Sequence, residues 1–131
     1  MLKVTGWIIG VAFLVVMESS SAMENEWDPA AVVSTSTCAE CHEEAVDVWK
    51  ASKHFATYRN FHKTKEAKEI AIELGMDPKK IKRADSMCAD CHYTKGLNNN
   101  RVKPIAGVSC QSCHGAAKNW VELHNDYGGP S

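Results

Sequence analysis

Three stretches, Cys38-Ala39-Glu40-Cys41-His42, Cys88-Ala89-Asp90-Cys91-His92 and Cys110-Gln111-Ser112-Cys113-His114, repeat one spacing and together use all six cysteines of the chain. In C-x-x-C-H two thiols stand about one helical turn apart, within reach of the two vinyl groups of one porphyrin, and the histidine that follows meets the iron. The chemistry implied is covalent attachment of three c-type haems, with His42, His92 and His114 as proximal ligands. Thr37, with Glu40 three residues on, has the pattern of a capping box that would start a helix at the first pair of thiols. Competing chemistries fit less well. A zinc ribbon joins C-x-x-C units in twos, and three units leave one over. A disulfide framework gives histidine no reason to follow the second cysteine each time, and a thioredoxin-like motif needs one C-x-x-C beside a βαβ pattern that this chain lacks.

Each iron has a second axial position, and three histidines remain: His54, His62 and His124. That number is ordinary abundance for a chain of this length, so position has to carry the assignment. His54 and His62 lie among Phe55, Tyr58 and Phe61, and His124 follows the apolar stretch after the third motif; all three are expected as iron ligands. On a continuous helix His54 would sit about 18 Å along from His42. Two histidines facing across one iron have α-carbons only about 12–13 Å apart, so His54 is expected to cap a different haem from the one His42 holds. Met76 is the alternative sixth ligand, since Met/His ligation occurs in cytochromes c, whereas Met87 adjoins Cys88 and cannot reach round its own haem.

The elements that must position these residues read as helical. Glu43 to about Lys63 contains no proline or glycine and repeats Val46, Trp49, Lys53 and Ala56 at helical spacing, predicting one helix laid against haem. A second pattern through Ala67, Ile70, Ala71 and Leu74 stops at Gly75. Asp77-Pro78 supplies a cap and a first-turn proline for a short helix over Lys79 to Ala84. Lys95 to Lys103 reads as a polar loop, a further helical stretch carries Ala116, Trp120, Val121 and Leu123, and Tyr127-Gly128-Gly129-Pro130 as an irregular end. No strand alternation stands out. The expected fold is all-α: a small multihaem cytochrome c whose helices and irregular loops wrap a stacked haem core, the porphyrins replacing the side-chain core that so small a domain cannot supply.

Lys3, the apolar run Val4 to Met17 and the small residues Ser20-Ser21-Ala22 read as a signal peptide over 1–22, leaving a mature trihaem domain over 23–131. The apolar run is shorter than the roughly 18 residues that span a bilayer, so no membrane anchor is expected after cleavage. Export agrees with haem attachment, which takes place outside the cytoplasm, and the periplasm is the expected location. Net charge is −1, but every charge from Glu24 to Asp47 is acidic while Lys63, Lys65, Lys68, Lys79, Lys80, Lys82 and Arg83 make the following stretch basic. Solvated helix faces account for part of this; a dipolar surface that orients the protein on redox partners is the functional reading. Interleaved Glu66, Glu69, Glu73 and Asp77 argue against nucleic acid.

Around the motifs the chain resembles the multihaem cytochrome c-554 family. The shared features are Trp49, Ser52 and His54 in a W-x-x-S-x-H arrangement after Cys38-Ala-Glu-Cys-His42, then Met87-Cys-Ala-Asp-Cys-His-Tyr-Thr94, and Gly107-Val-Ser-Cys-Gln-Ser-Cys-His-Gly115. The resemblance implies closely stacked, mostly bis-histidine haems that shuttle electrons in the periplasm, with His54 as a distal ligand. The namesake carries four haems, one with an open axial position. The functional expectation is an electron carrier between other redox proteins, with enzyme activity left open. The alternatives are a small reductase acting on a nitrogen oxide at a five-coordinate haem, or a haem-bearing subunit of a larger electron-conducting assembly.

Overall fold

A computed structural model describes residues 27–128; the expected signal peptide lies outside them. The chain enters at Trp27 and makes a 3-10 turn, Pro29–Ala31, opened by Asp28, whose carboxylate accepts from the Ala30 amide at 2.8 Å. Helix α1 spans Thr35–Lys50. Its cap is Ser34, extended at φ −65° and ψ 145°, with its hydroxyl accepting from Ser36. Thr37 therefore lies inside the helix and the expected Thr37–Glu40 box does not form, because Ser34 offers the same capping chemistry one turn earlier.

The single helix expected from Glu43 to Lys63 is divided. Ser52 is the reason: its hydroxyl donates to the Trp49 carbonyl at 2.6 Å and accepts from the Phe55 amide at 3.3 Å. One short polar side chain thus closes α1 and caps α2, Lys53–Asn60, the competition with the backbone that makes serine poor inside helices and good at their ends. A straight-helix rise from His42 to His54 accordingly does not apply. After a 3-10 turn at Phe61–Lys63, Thr64 caps α3, Lys65–Glu73. The stop expected at Gly75 is there: Gly75 takes φ 70°, its amide reaches the Ile72 carbonyl at 2.9 Å and the Met76 amide reaches Ala71 at 2.8 Å, the paired bonds of a Schellman end. The short helix expected over Lys79 to Ala84 is only a 3-10 turn, Pro78–Lys80, followed by turns.

The polar loop expected over Lys95 to Lys103 is a β-hairpin. Strands β1, Thr94–Asn98, and β2, Arg101–Ala106, pair antiparallel with Gly96 opposite Lys103 and Leu97 opposite Val102. Asn99 and Asn100 close it at φ 51° and 57°, the left-handed pair that a two-residue type I′ turn demands and asparagine tolerates. The two motif helices α4, Met87–His92, and α5, Cys110–His114, flank this hairpin in the chain. Helix α6, Val121–Gly128, follows, so Tyr127 and Gly128 are helical and not irregular. Apart from the hairpin the secondary structure is helical, as expected.

The side-chain core is small. Its buried apolar members are Ala31, Val46, Ala67, Ala71, Ile81, Ala89, Tyr93 and Ala117, five of the eight being alanine. Ile81 lies with Ala67 and Ala71 under Phe61, Met76 and Cys88, so the second motif's first thiol borders the largest apolar cluster. Long-range polar contacts tie the segment before α1 to the rest: the Trp27 indole donates to the Lys95 carbonyl at 3.2 Å, Lys118 donates its amide to Ala31 at 2.9 Å, and Gln111 grips Val33 through both its side-chain atoms.

Candidate functional site

All three motifs fold alike. Each is a helical turn that breaks at its histidine: His42 kinks α1 at φ −120° and ψ 43°, Tyr93 turns extended after His92, and Gly115 takes φ 80° after His114. Helical spacing puts the two cysteines of a motif on one face, and the break turns the imidazole out of the helix. Serine sets two of the starts. The Ser86 hydroxyl accepts from Cys88, and the Ser109 amide donates to the Ser112 hydroxyl at 3.1 Å. No disulfide joins the six cysteines, and the first of each motif's pair is half-buried and the second exposed.

The first and third motifs share one cavity of about 500 Å³, lined by Cys38, Cys41, His42, Cys110, His114 and His124 among others. That volume lies within the range of cofactor sites. Burial, and next to it the adjacent Cys110 thiol, push the Cys38 thiol up from its ordinary value. His42 and His124 face each other there with ring centroids 6.0 Å apart and planes 24° apart. That is too far for ring-on-ring contact. Both rings border the same cavity as the first and third motifs' thiols, within reach of one bound group. Trp120 meets His124 edge-on at 5.7 Å and fixes its ring. Thiols and imidazoles around one largely apolar cavity are the residues that would hold a covalently attached haem.

At the second motif, the Phe61 ring lies flat on His92 at 3.7 Å and burial lowers the His92 pKa. An imidazole must be neutral to bind iron, so this environment favours the ligating form. His62 stands nearby with Nδ1 3.3 Å from the Tyr93 hydroxyl. Burial foremost, then Lys82, Lys63 and Lys68, hold its pKa down. A partner on Nδ1 leaves Nε2 for a metal, the usual arrangement of a ligating histidine.

Of the three spare histidines, the structure thus brings His124 against a motif histidine and His62 beside the second motif. His54 is exposed in the first turn of α2, and among the described residues its ring meets no motif histidine. Met76 packs in the cluster beside Cys88. The surroundings of His54 give W-x-x-S-x-H a physical meaning: Trp49 donates its indole N–H to the Val108 carbonyl at 2.7 Å, Ser52 starts α2, and Gly107 lies so close that a Cβ there would fall 2.2 Å from the His54 carbonyl oxygen. The signature ties α2 to the lead-in of the third motif.

Two residues that positions along the chain did not single out organise the motifs. Thr94, 1% exposed, donates or accepts at the Gly107 carbonyl (2.7 Å), the Ser109 hydroxyl (2.8 Å), the Ser112 hydroxyl (2.9 Å) and the Ser109 amide (3.1 Å). It directly follows the second motif's His-Tyr pair and fastens the start of the third. Gln111, between the two cysteines of the third motif, accepts from Val33 and Ala117, each at 3.0 Å, and donates to Val33 at 2.7 Å. Its only sequence signal is a large amide where a small residue would serve.

Thiol-bearing helical turns, each closed by a histidine, define a c-type cytochrome. The sequence pattern of the family described as cytochrome c554 and c-prime matches residues 37–115, and the chain belongs to that family. It is 30% identical over 97 residues to cytochrome c-554 of Nitrosomonas europaea, a stretch covering 70% of this chain and 41% of that protein. The chain thus spans less than half of that relative's length. No solved structure matches. Membership implies covalently bound haem c. The matched region ends at Gly115, leaving His124 and α6 beyond it. Among the described residues no helix is long and apolar enough to cross a membrane.

Proposed function

We propose that the chain, after removal of residues 1–22, is a periplasmic electron carrier that holds three haems c and passes electrons between redox partners. Cys38 and Cys41, Cys88 and Cys91, and Cys110 and Cys113 form the thioethers, and His42, His92 and His114 are the proximal ligands. When bound, haem supplies the reversible ferric–ferrous couple. The chain supplies the rest: thiols at one-turn spacing, imidazoles beside them, and a shared cavity that brings two attachment sites together. The observation that carries this reading is that His42 and His124 lie 6.0 Å apart in that cavity, which supports His124 as the sixth ligand of the first iron. His62, oriented through Nδ1 by Tyr93, and His54, at the family's distal position, complete the others. An iron with both axial positions taken must lose a ligand before it binds a substrate, which suits a carrier and not a reductase.

The purified holoprotein is expected to show only low-spin ferric haem by electron paramagnetic resonance and to react poorly with carbon monoxide when reduced. Replacing His124 with alanine should open one site, seen as a new high-spin signal and carbon monoxide binding to about one haem in three. A high-spin signal and rapid carbon monoxide binding in the unmodified protein would move the reductase reading ahead.

A further inference from the structure

The segment before the second motif and the second strand of the hairpin after it form the walls of a cleft of about 700 Å³, lined on one side by Lys79, Lys82, Arg83 and Asp85 and on the other by Val102, Lys103 and Pro104. Four cations face one carboxylate, and that carboxylate is already bound: Arg83 donates to both oxygens of Asp85, at 2.9 and 2.8 Å. Lys79 and Lys103 are exposed and form no ion pair among the described residues. The cleft is packed against the second motif. Ile81 is buried against the cluster that includes Cys88. The Lys82 ammonium donates to the Tyr58 carbonyl at 2.6 Å, lies 3.4 Å over the Tyr58 ring and 5.8 Å from the ring of Tyr93, the residue after His92. Across the cleft, Lys103 and Pro104 lie opposite Gly96 and Lys95 of β1, the strand that leaves the second motif.

The opposite charge sits elsewhere. Glu40, Glu43, Glu44 and Asp47 are exposed along α1, around the first motif. An acidic partner is repelled there and attracted at the cleft, and such complementarity selects orientation and raises the encounter rate.

Resting on the electron-carrier reading, we propose that the cleft between residues 79–85 and strand β2 is the docking site for an acidic redox protein, and that electrons cross there to the haem held by Cys88, Cys91 and His92. Carboxylates on the partner engage Lys79 and Lys103, and the second motif is then the attachment site nearest the interface.

An acidic flavodoxin is the probe. Zero-length carbodiimide coupling of the holoprotein to flavodoxin joins partner carboxylates to lysines as amides, and peptide mass spectrometry is expected to find them at Lys79 or Lys103. In stopped flow, flavodoxin hydroquinone gives one electron to one ferric haem, leaving semiquinone and ferrous haem. The double variant Lys79→Glu with Lys103→Glu should lose the cross-links and slow this step about tenfold at low ionic strength, an effect that fades as salt is added. Its reduction by lumiflavin semiquinone, which needs no protein docking, should stay within about twofold of the parent rate. Glu43→Lys with Glu44→Lys should not slow the flavodoxin reaction. Cross-links confined to lysines outside the cleft, such as Lys53 or Lys65, or a cleft variant that couples and reacts like the parent, would overturn the proposal. Failure of lumiflavin to reduce the parent holoprotein would instead overturn the carrier reading, and the docking site with it.

Discussion

Gly107 shows what one residue decides. Its missing side chain is what lets the start of the third motif approach the α2 backbone, since a Cβ would lie 2.2 Å from the His54 carbonyl and 2.5 Å from the Thr57 hydroxyl. A backbone carbonyl cannot swing aside as a flexible side chain can, so Gly107→Ala must push α2 and the Gly107–Val108 segment apart, and displacement of Val108 loosens the Trp49 indole bond. Overpacking of this kind costs about 1–3 kcal/mol. The holoprotein variant is expected to melt at lower temperature with its haem content unchanged. Melting indistinguishable from the parent would show that α2 is not held by this contact.

Between elements, the counterpart is Thr94. Its buried hydroxyl is shared by groups of the third motif's lead-in and helix, so it sets how the hairpin presents α5 relative to α4. Thr94→Val keeps the shape and removes the hydroxyl, leaving buried serine hydroxyls and an amide short of a partner. Each group so stranded costs about 1–3 kcal/mol. A lowered denaturation midpoint is expected, together with altered magnetic interaction between haems in the resonance spectrum; Thr94→Ser, which restores the hydroxyl, should recover most of both. Loss of stability with no recovery in the serine variant would point to the methyl group instead.

For the whole molecule, the decisive fact is the poverty of the side-chain core. Ile81 and Thr94 are the largest side chains below 2% exposure, while Val48, Ile72, Leu74, Met87 and Leu123 all lie on the surface. Apolar burial contributes about 25 cal/mol per Å², and a core of alanines cannot offset an ordering entropy of about 1–2 kcal/mol per residue. Porphyrins held by three thiol pairs would supply the missing apolar mass. The mature chain produced without haem attachment is therefore expected to show no cooperative thermal transition by circular dichroism. The matured chain should weigh its apoprotein plus three haems by intact mass; fewer haems, or a cooperative apoprotein, would contradict this account.

The sequence by itself determined the attachment chemistry, because two thiols and a histidine within five residues need only one helical turn to be presented together, and local geometry settles that. It also determined the Gly75 stop and the largely helical character, which depend on glycine conformation and short-range periodicity. Boundaries that hinge on competition between neighbouring polar side chains were less legible: Ser34 in place of Thr37 as the first cap, and Ser52 cutting one expected helix into two. The hairpin was hidden because its strands are short, polar and largely facing water, so no alternation marks them, and its Asn99-Asn100 turn carries the same composition as a loop. The meeting of His124 with His42 was decided only by the tertiary structure. Those residues lie on α1 and α6, and whether their rings come within 6.0 Å depends on how Gln111, Trp120 and the segment before α1 fold these helices onto one cavity. Local spacing can place a thiol beside its own histidine; bringing a second histidine to the far side requires the chain to return, and only packing across the whole domain fixes where it does.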